Sequence, residues 1–295
     1  MNWMKRAAAA LVMTMLAGLS LSASAEAVKL PIDLSGGMPY STDNCVSENV
    51  YEDASLRIEI SEDMVGNTRV HLARVTIADP SQLRTAPAYD FSRDQTAPTT
   101  TIAQRVNAVL AINGDYYSYQ ATRGGYMIRQ GETYINKPIK GRDVLVIAGN
   151  GDFYIEREIN EETLAKYEQL GGIVNSFNFG PGILIDGVKC DRFKSVYNMA
   201  EDKAARACIC QVKRGKLEYL CVVSEGTDDS KGGGLTLEEF TDYVATLGVQ
   251  NAYNLDGGNS SALIYLGEKI NAKTNPRHRP LSDIIYFASA VEVGE

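Results

Sequence analysis

Two segments of this 295-residue chain end an apolar run in Asn, Asp and Gly: Ala111-Ile-Asn-Gly-Asp-Tyr-Tyr117 and Tyr253-Asn-Leu-Asp-Gly-Gly-Asn-Ser-Ser261. Polar groups at strand ends stand at the rim of a sheet, where a ligand meets a rigid scaffold. Glycines there let the backbone come close and offer N–H groups to an anion. The candidate site residues in these segments are Asn113, Asp115, Asp256, Gly257, Gly258, Asn259, Ser260 and Ser261. Read as structure alone, both segments are turns, since Asn-Gly and Asp-Gly-Gly form turns readily. Two of them in one chain, each after a buried strand, favour a site.

Cations that could meet an anion are few. Arg206 sits at the mouth of the apolar run Ala207–Val212, placed to pair with a carboxylate or to grip a phosphate with two N–H groups. Arg279 belongs to Arg277-His278-Arg279, which is either an anion pocket or a solvated basic loop. A third segment, Phe177-Asn-Phe-Gly-Pro-Gly-Ile-Leu-Ile-Asp-Gly187, holds a Gly-Pro-Gly turn before a strand, and its Asp186-Gly187 reads as the next hairpin turn.

Other chemistries fit less well. Gly258-Asn-Ser-Ser-Ala262 lacks the second glycine of a nucleophile elbow. A Ser-His triad would have to use His71, on a strand, or His278, in a loop. With two His and no Cys-x-x-Cys pair, a zinc site is not expected. Asp228-Asp229 beside Gly232-Gly233-Gly234 lacks the spacing of a calcium loop and reads as a mobile segment, a candidate lid. No metal or cofactor is expected.

The start of the chain reads as an export signal. Lys5 and Arg6 precede the apolar run Ala7–Leu21, and Ala23-Ser24-Ala25 fits a cleavage site, so residues 1–25 are expected to be removed. Loss of two basic and no acidic residues takes the charge from −8 to −10. An acidic chain gains nothing from counterion release, so nucleic acid is not an expected partner. No later run is long enough to span a bilayer, so stable membrane insertion is not expected either. The expected location is outside the cytoplasm, secreted or in the cell envelope.

The elements that must position these residues follow from periodicity. Alternation at Leu56–Ile60 and Val70–Thr76 predicts two half-buried antiparallel strands around Gly66-Asn67. Residues 108–112, 144–148, 153–155, 251–255, 262–266 and 284–293 read as further strands. Asn160 caps one predicted helix; Thr236 and Glu239 form a capping box on another, over 236–247. Residues 207–212 and 217–223 form a predicted hairpin. A two- or four-residue loop there would set Cys208 opposite Cys221, as a cross-strand disulfide or as facing thiols. The fold class is mixed α/β (α+β): one strand-rich domain with a few helices, after a cleaved signal peptide. Residues 26–48 form an irregular lead, 49–104 are strands packing on the main domain, and 105–295 are the main domain.

Taken together, the segments resemble the phosphodiester glycosidase domain family, that of the lysosomal uncovering enzyme. Ala111–Tyr117 is similar to its Asn-Gly-Gly-Phe-Phe segment, and Gly180–Gly187 to its Gly-Pro strand. Arg206 stands where the family has Pro-Arg-Thr-Ala. Gly234–Glu239 resembles its Gly-Leu-Thr-Leu helix start, Asn254–Ser261 its Asp-Gly-Gly-Gly-Ser-Ser loop, and Arg279-Pro280-Leu281 its closing Arg-Pro-Val. Glu225-Gly226-Thr227 departs from the family's Asp-Gly-Arg, and Asp115 and Asn259 replace glycines.

The resemblance implies hydrolysis at an anomeric carbon with a phosphate monoester leaving. In that reading Asp256 and Asp115 are the carboxylates, nucleophile or general base, near an oxocarbenium-like centre. Arg206 and Arg279 hold the phosphate, while Asn113, Asn259 and Ser260 bind sugar hydroxyls. The substrate would be a sugar-1-phosphodiester, N-acetylglucosamine being one candidate sugar, from envelope glycan or exopolysaccharide. One rival is a noncatalytic glycan-binding module, since the chain has 16 Tyr, among them Tyr116, Tyr117 and Tyr119, that can stack on sugars. Another is a metal-dependent phosphodiesterase using Asp115, Asp228 and Asp256.

Overall fold

Leu56, Ile58 and Ile60 alternate with Arg57 and Glu59, and this period of two folds as a hairpin turned at Gly66-Asn67. The computed structural model describes residues 27–92, 94–116, 124–191, 199–227, 233–272 and 279–292. The expected export segment, the candidate lid at 228–232, Tyr117, Tyr119, Arg277 and His278 lie outside the described residues.

The first strands are β1 (Cys45–Ser47), β2 (Val50–Glu52), β3 (Leu56–Val65), β4 (Thr68–Ile77) and β5 (Leu83–Pro87). Helix α1 (Thr99–Arg105) leads to β6 (Ala108–Asn113), β7 (Gly125–Arg129), β8 (Glu132–Lys137), β9 (Val144–Ala148) and β10 (Phe153–Glu156). After α2 (Glu161–Glu168) come β11 (Ile173–Phe177), β12 (Gly182–Ile185), β13 (Val188–Lys189), β14 (Ala207–Gln211) and β15 (Glu218–Ser224). Helix α3 (Leu237–Ala245) precedes β16 (Asn251–Leu255), β17 (Leu263–Tyr265), β18 (Glu268–Lys269) and β19 (Asp283–Ala288).

Two antiparallel sheets carry the architecture. The larger has nine strands in the order β1-β2-β3-β4-β15-β14-β16-β12-β13; the second has five, β18-β17-β6-β19-β5. Their facing sides share one core, in which Val75, Ile209, Val223 and Leu255 of the first sheet meet Val109, Ile112, Leu263 and Ile285 of the second. Helix α3 covers the outer face of the nine-stranded sheet through Leu237, Phe240 and Val244. Helix α1 covers the outer face of the five-stranded sheet through Ile102 and Ala103. A three-stranded sheet, β10-β9-β11, packs against Tyr167 of α2. The strands β3 and β4 are part of the nine-stranded sheet, since β4 pairs with β15 from Thr76↔Glu218 to Val70↔Ser224.

The expected helix caps are present. Thr236 Oγ1 accepts from Glu239 N, and the Glu239 carboxylate accepts from Thr236 N. Asn160 Oδ1 accepts from Thr163 N at 2.8 Å. The expected facing of Cys208 and Cys221 is corrected. Val212 N still bonds Glu218 O, so the hairpin loop spans the five residues 213–217, and an odd loop shifts the register by one. Cys208 faces Val222, and Cys221 faces Ile209 on the other side of the sheet. All five cysteines are free.

Candidate active site

The strand ends that the sequence singled out lie on one rim. β6 ends at Asn113 in the five-stranded sheet and β16 ends at Leu255 in the nine-stranded one. Asn113 is fully buried and joins them. Its Nδ2 donates to Asp256 O at 2.9 Å, and its Oδ1 accepts from Ala262 N at 3.1 Å. One side-chain amide thus holds both ends of the 256–262 loop.

The loop is built from short-range bonds. Asp256 Oδ1 accepts from Gly257 N at 2.9 Å, Gly258 N donates to Ala205 O at 2.8 Å, and residues 258–260 form a single 3-10 turn. A Cβ on Gly257 would lie 2.7 Å from Ala205 O, so only glycine lets the loop pack this closely. Asn259 and Arg279 are exposed neighbours, with Arg279 N donating to Asn259 O at 3.2 Å. Three polar atoms in and beside this loop, Asn254 Oδ1, Ser260 Oγ and Ser261 Oγ, are buried and have no hydrogen-bond partner among the described residues. The Asn254 Nδ2 group is used, donating to Gly180 O at 2.8 Å.

Arg206 is placed beside this loop but turns its guanidinium to backbone. Nε donates to Leu235 O at 3.0 Å, and Nη2 donates to Met199 O at 3.1 Å and to Asp202 O. Its own N donates to Ser224 Oγ at 2.9 Å. Arg206 therefore ties the start of β14 to the segment before it and to the segment that leads into α3.

Asp115 is buried and heavily bonded. Both its carboxylate oxygens accept from Asn178 N at 2.9 Å, Oδ1 also accepts from Phe179 N, and Arg129 Nη2 lies at 3.5 Å. Asp283 shares that guanidinium, accepting from Arg129 Nε at 3.1 Å and Nη2 at 3.0 Å. The Arg129 plane lies 4.3 Å from the centroid of the Phe177 ring. Burial pushes the carboxyls of both Asp115 and Asp283 up, against the pull of Arg129. A Cβ on Gly114 would sit 2.0 Å from Asp283 Oδ1, so the glycine of Asn113-Gly114-Asp115 is what lets Asp283 come so near.

A carboxylate that the sequence reading passed over belongs to this rim. Glu225 follows β15 and is buried. Its Oε1 lies 3.0 Å from His71 Nε2 and accepts from Ala272 N at 3.4 Å. The next residue back, Asn271, holds Ser261 O at 3.1 Å and Leu263 N at 2.7 Å. Only β14 separates β15 from β16, so Glu225 and Asp256 leave the sheet about 10 Å apart, two strand spacings. The signal that marks Glu225 is the one that marks Asp115 and Asp256. A buried run, Tyr219–Ser224, stops at a carboxylate and a glycine.

Comparison with known proteins bears on the fold and the family. Zebrafish N-acetylglucosamine-1-phosphodiester α-N-acetylglucosaminidase, in a structure of its catalytic domain auto-inhibited by its pro-peptide, shares the fold. The TM-score is 0.61 and the identity 16%, with 85% of this chain and 86% of that one covered. A hypothetical protein from Synechocystis superposes with a TM-score of 0.62 at 16% identity, covering 82% of this chain and 64% of that one. The uncharacterised SPβ prophage-derived protein YomE of Bacillus subtilis is 26% identical over 256 residues. That match takes in 81% of this chain but only 38% of YomE, so the chain spans well under half of that relative's length. Residues 106–288, more than half of the chain and the stretch that holds the whole rim, match the phosphodiester glycosidase family, and the chain belongs to it.

Proposed function

We propose that the chain is an exported hydrolase that cleaves the bond between a sugar anomeric carbon and a phosphodiester, in envelope glycan or exopolysaccharide metabolism. The observation that carries this is the rim loop that Asn113 clamps. Asn254 Oδ1, Ser260 Oγ and Ser261 Oγ are buried there without a partner among the described residues, beside the Asp256 carboxylate. Buried polar atoms left without partners are costly, and a polyhydroxylated ligand supplies donors and acceptors for them.

In this reading Asp256 is the carboxylate at the anomeric carbon, as nucleophile or as base for water. Glu225, on the same rim and held by His71, is the group that takes up or returns the proton. Asp115 is assigned a holding role, since its oxygens are occupied by Asn178, Phe179 and Arg129. Arg206 positions the loops, and Arg279, exposed beside Asn259, remains the cation for the scissile phosphate. The leaving phosphate monoester departs with little help from an acid, so few titrating groups suffice.

The test incubates the purified chain with a panel of sugar-1-phosphodiesters, including α-N-acetylglucosamine-1-phosphate esters, with and without chelator, and reads products by mass spectrometry. Free sugar plus a phosphate monoester, unaffected by chelator, is the expected result. Sugar-1-phosphate as product identifies a phosphodiesterase. Saturable glycan binding with no product identifies a binding module.

A further inference from the structure

Away from the Asp256 loop, one cavity gathers positive charge in a chain of net charge −8. It holds about 260 Å³ and is lined by Lys140, Arg142, Arg157 and a single carboxylate, Glu158, over an apolar floor that includes Ile139 and Ile159. Several exposed cations of this chain meet carboxylates, as Arg57 meets Glu52 and Glu59, Lys189 meets Asp242 and Lys203 meets Glu239. Lys140, Arg142 and Arg157 meet none among the described residues. Three like charges around one small cavity repel unless an anion lies between them.

The cavity is mechanically tied to the candidate active site. Arg142 Nη1 donates to Tyr116 Oη, and Tyr116 is the residue after Asp115. The Tyr116 ring packs on Phe179 at 5.0 Å between centroids. The next residue, Asp143, accepts from Gly182 N at 3.0 Å, which fixes the segment against the Gly180-Pro181-Gly182 turn that Asn254 also holds.

We propose that this cavity is an anion subsite that takes a second phosphate carried by the part of the substrate beyond the scissile bond. The inference rests on the glycosidase reading above and narrows it: the preferred substrate is a sugar-1-phosphodiester whose aglycone bears a further phosphate. Three cations against one carboxylate leave two positive charges, which match a phosphate dianion. Arginine offers the forked N–H groups that suit phosphate oxygens.

The experiment compares two substrates with the same sugar-1-phosphodiester, one with a methyl aglycone and one whose aglycone ends in a phosphate monoester. The wild type is expected to show a KM about tenfold lower for the second, a preference that shrinks as salt is added. A Lys140→Ala/Arg157→Ala variant loses the preference while its kcat and KM on the methyl substrate stay unchanged. A variant that keeps the preference, or a wild type without one at low salt, overturns the proposal. Inorganic pyrophosphate titrated by calorimetry gives an arm independent of turnover. Binding to the wild type that the variant loses supports the subsite; no binding, or equal binding to both, overturns it. If neither substrate turns over, the glycosidase reading fails and the pyrophosphate arm still decides the cavity.

Discussion

At the scale of single residues, the carboxylates of the rim differ in the part they are expected to play. Replacing Asp256 by Asn is expected to cut turnover at least about 100-fold with little change in Tm. Replacing Asp115 by Asn is expected to lower Tm by several degrees, because the amide NH2 would face the Asn178 and Phe179 N–H groups from which the carboxylate oxygens accept. Steady-state kinetics beside thermal unfolding of both variants separates the roles, and the assignment fails if the two behave alike. His71 lies between two carboxylates, with Nε2 3.0 Å from Glu225 and Nδ1 3.2 Å from Glu62. His71→Leu is expected to lower kcat on the glycosyl phosphodiester about tenfold or more at unchanged KM. His71→Gln, whose amide still reaches Glu225, restores most of it. Asp115 and Asp283 add a pH dependence. A carboxyl raised above its ordinary value of 3.8 contributes stability that is present below that value and lost as pH rises through the raised one. Tm is thus expected to fall from mildly acidic to neutral pH, and Asp283→Asn should flatten that slope in a pH series of melts. Of these residues, Asn113, Asp115 and Asp256 were legible as polar stops on apolar runs. What Asn113 holds was not, because its partners lie about 150 residues away in the chain. His71 is a lone histidine on a strand, and nothing near it in sequence announces Glu225.

At the scale of elements, the predicted strands and helices followed from period and capping, while pairing did not. The capping box on α3 was readable from Thr236 and Glu239 alone, and Thr236→Ala is expected to cost about 1 kcal/mol in denaturant unfolding. The hairpin of β14 and β15 was readable too, yet its loop length was not. One residue more in the loop moved Cys221 to the opposite face from Cys208. Side chains alternate strictly along a strand, so a register error of one reverses every contact. The position of β19 between β6 and β5 is set by matching whole apolar faces, and no local residue specifies it.

At the scale of the whole molecule, the layers explain why a strand-rich chain with free cysteines holds together without covalent links. With all five thiols unbonded, reducing agent is expected to leave Tm unchanged, and a shift on adding it would reveal a bond formed in solution. Two antiparallel sheets form the frame, joined through one shared core, and Asn113 links a strand end of one to the loop that follows a strand end of the other. The topology also governs timing. β19 is the last of the described strands, yet it lies inside the five-stranded sheet between β6 and β5, and β4 must wait for β15 before its outer edge is paired. Neither sheet can close until almost all of the chain is available. Contacts this distant in sequence make folding slow, on the millisecond-to-second scale of β-rich domains. A nascent chain of this design stays open until late, the state in which a polypeptide can still be threaded through a narrow channel.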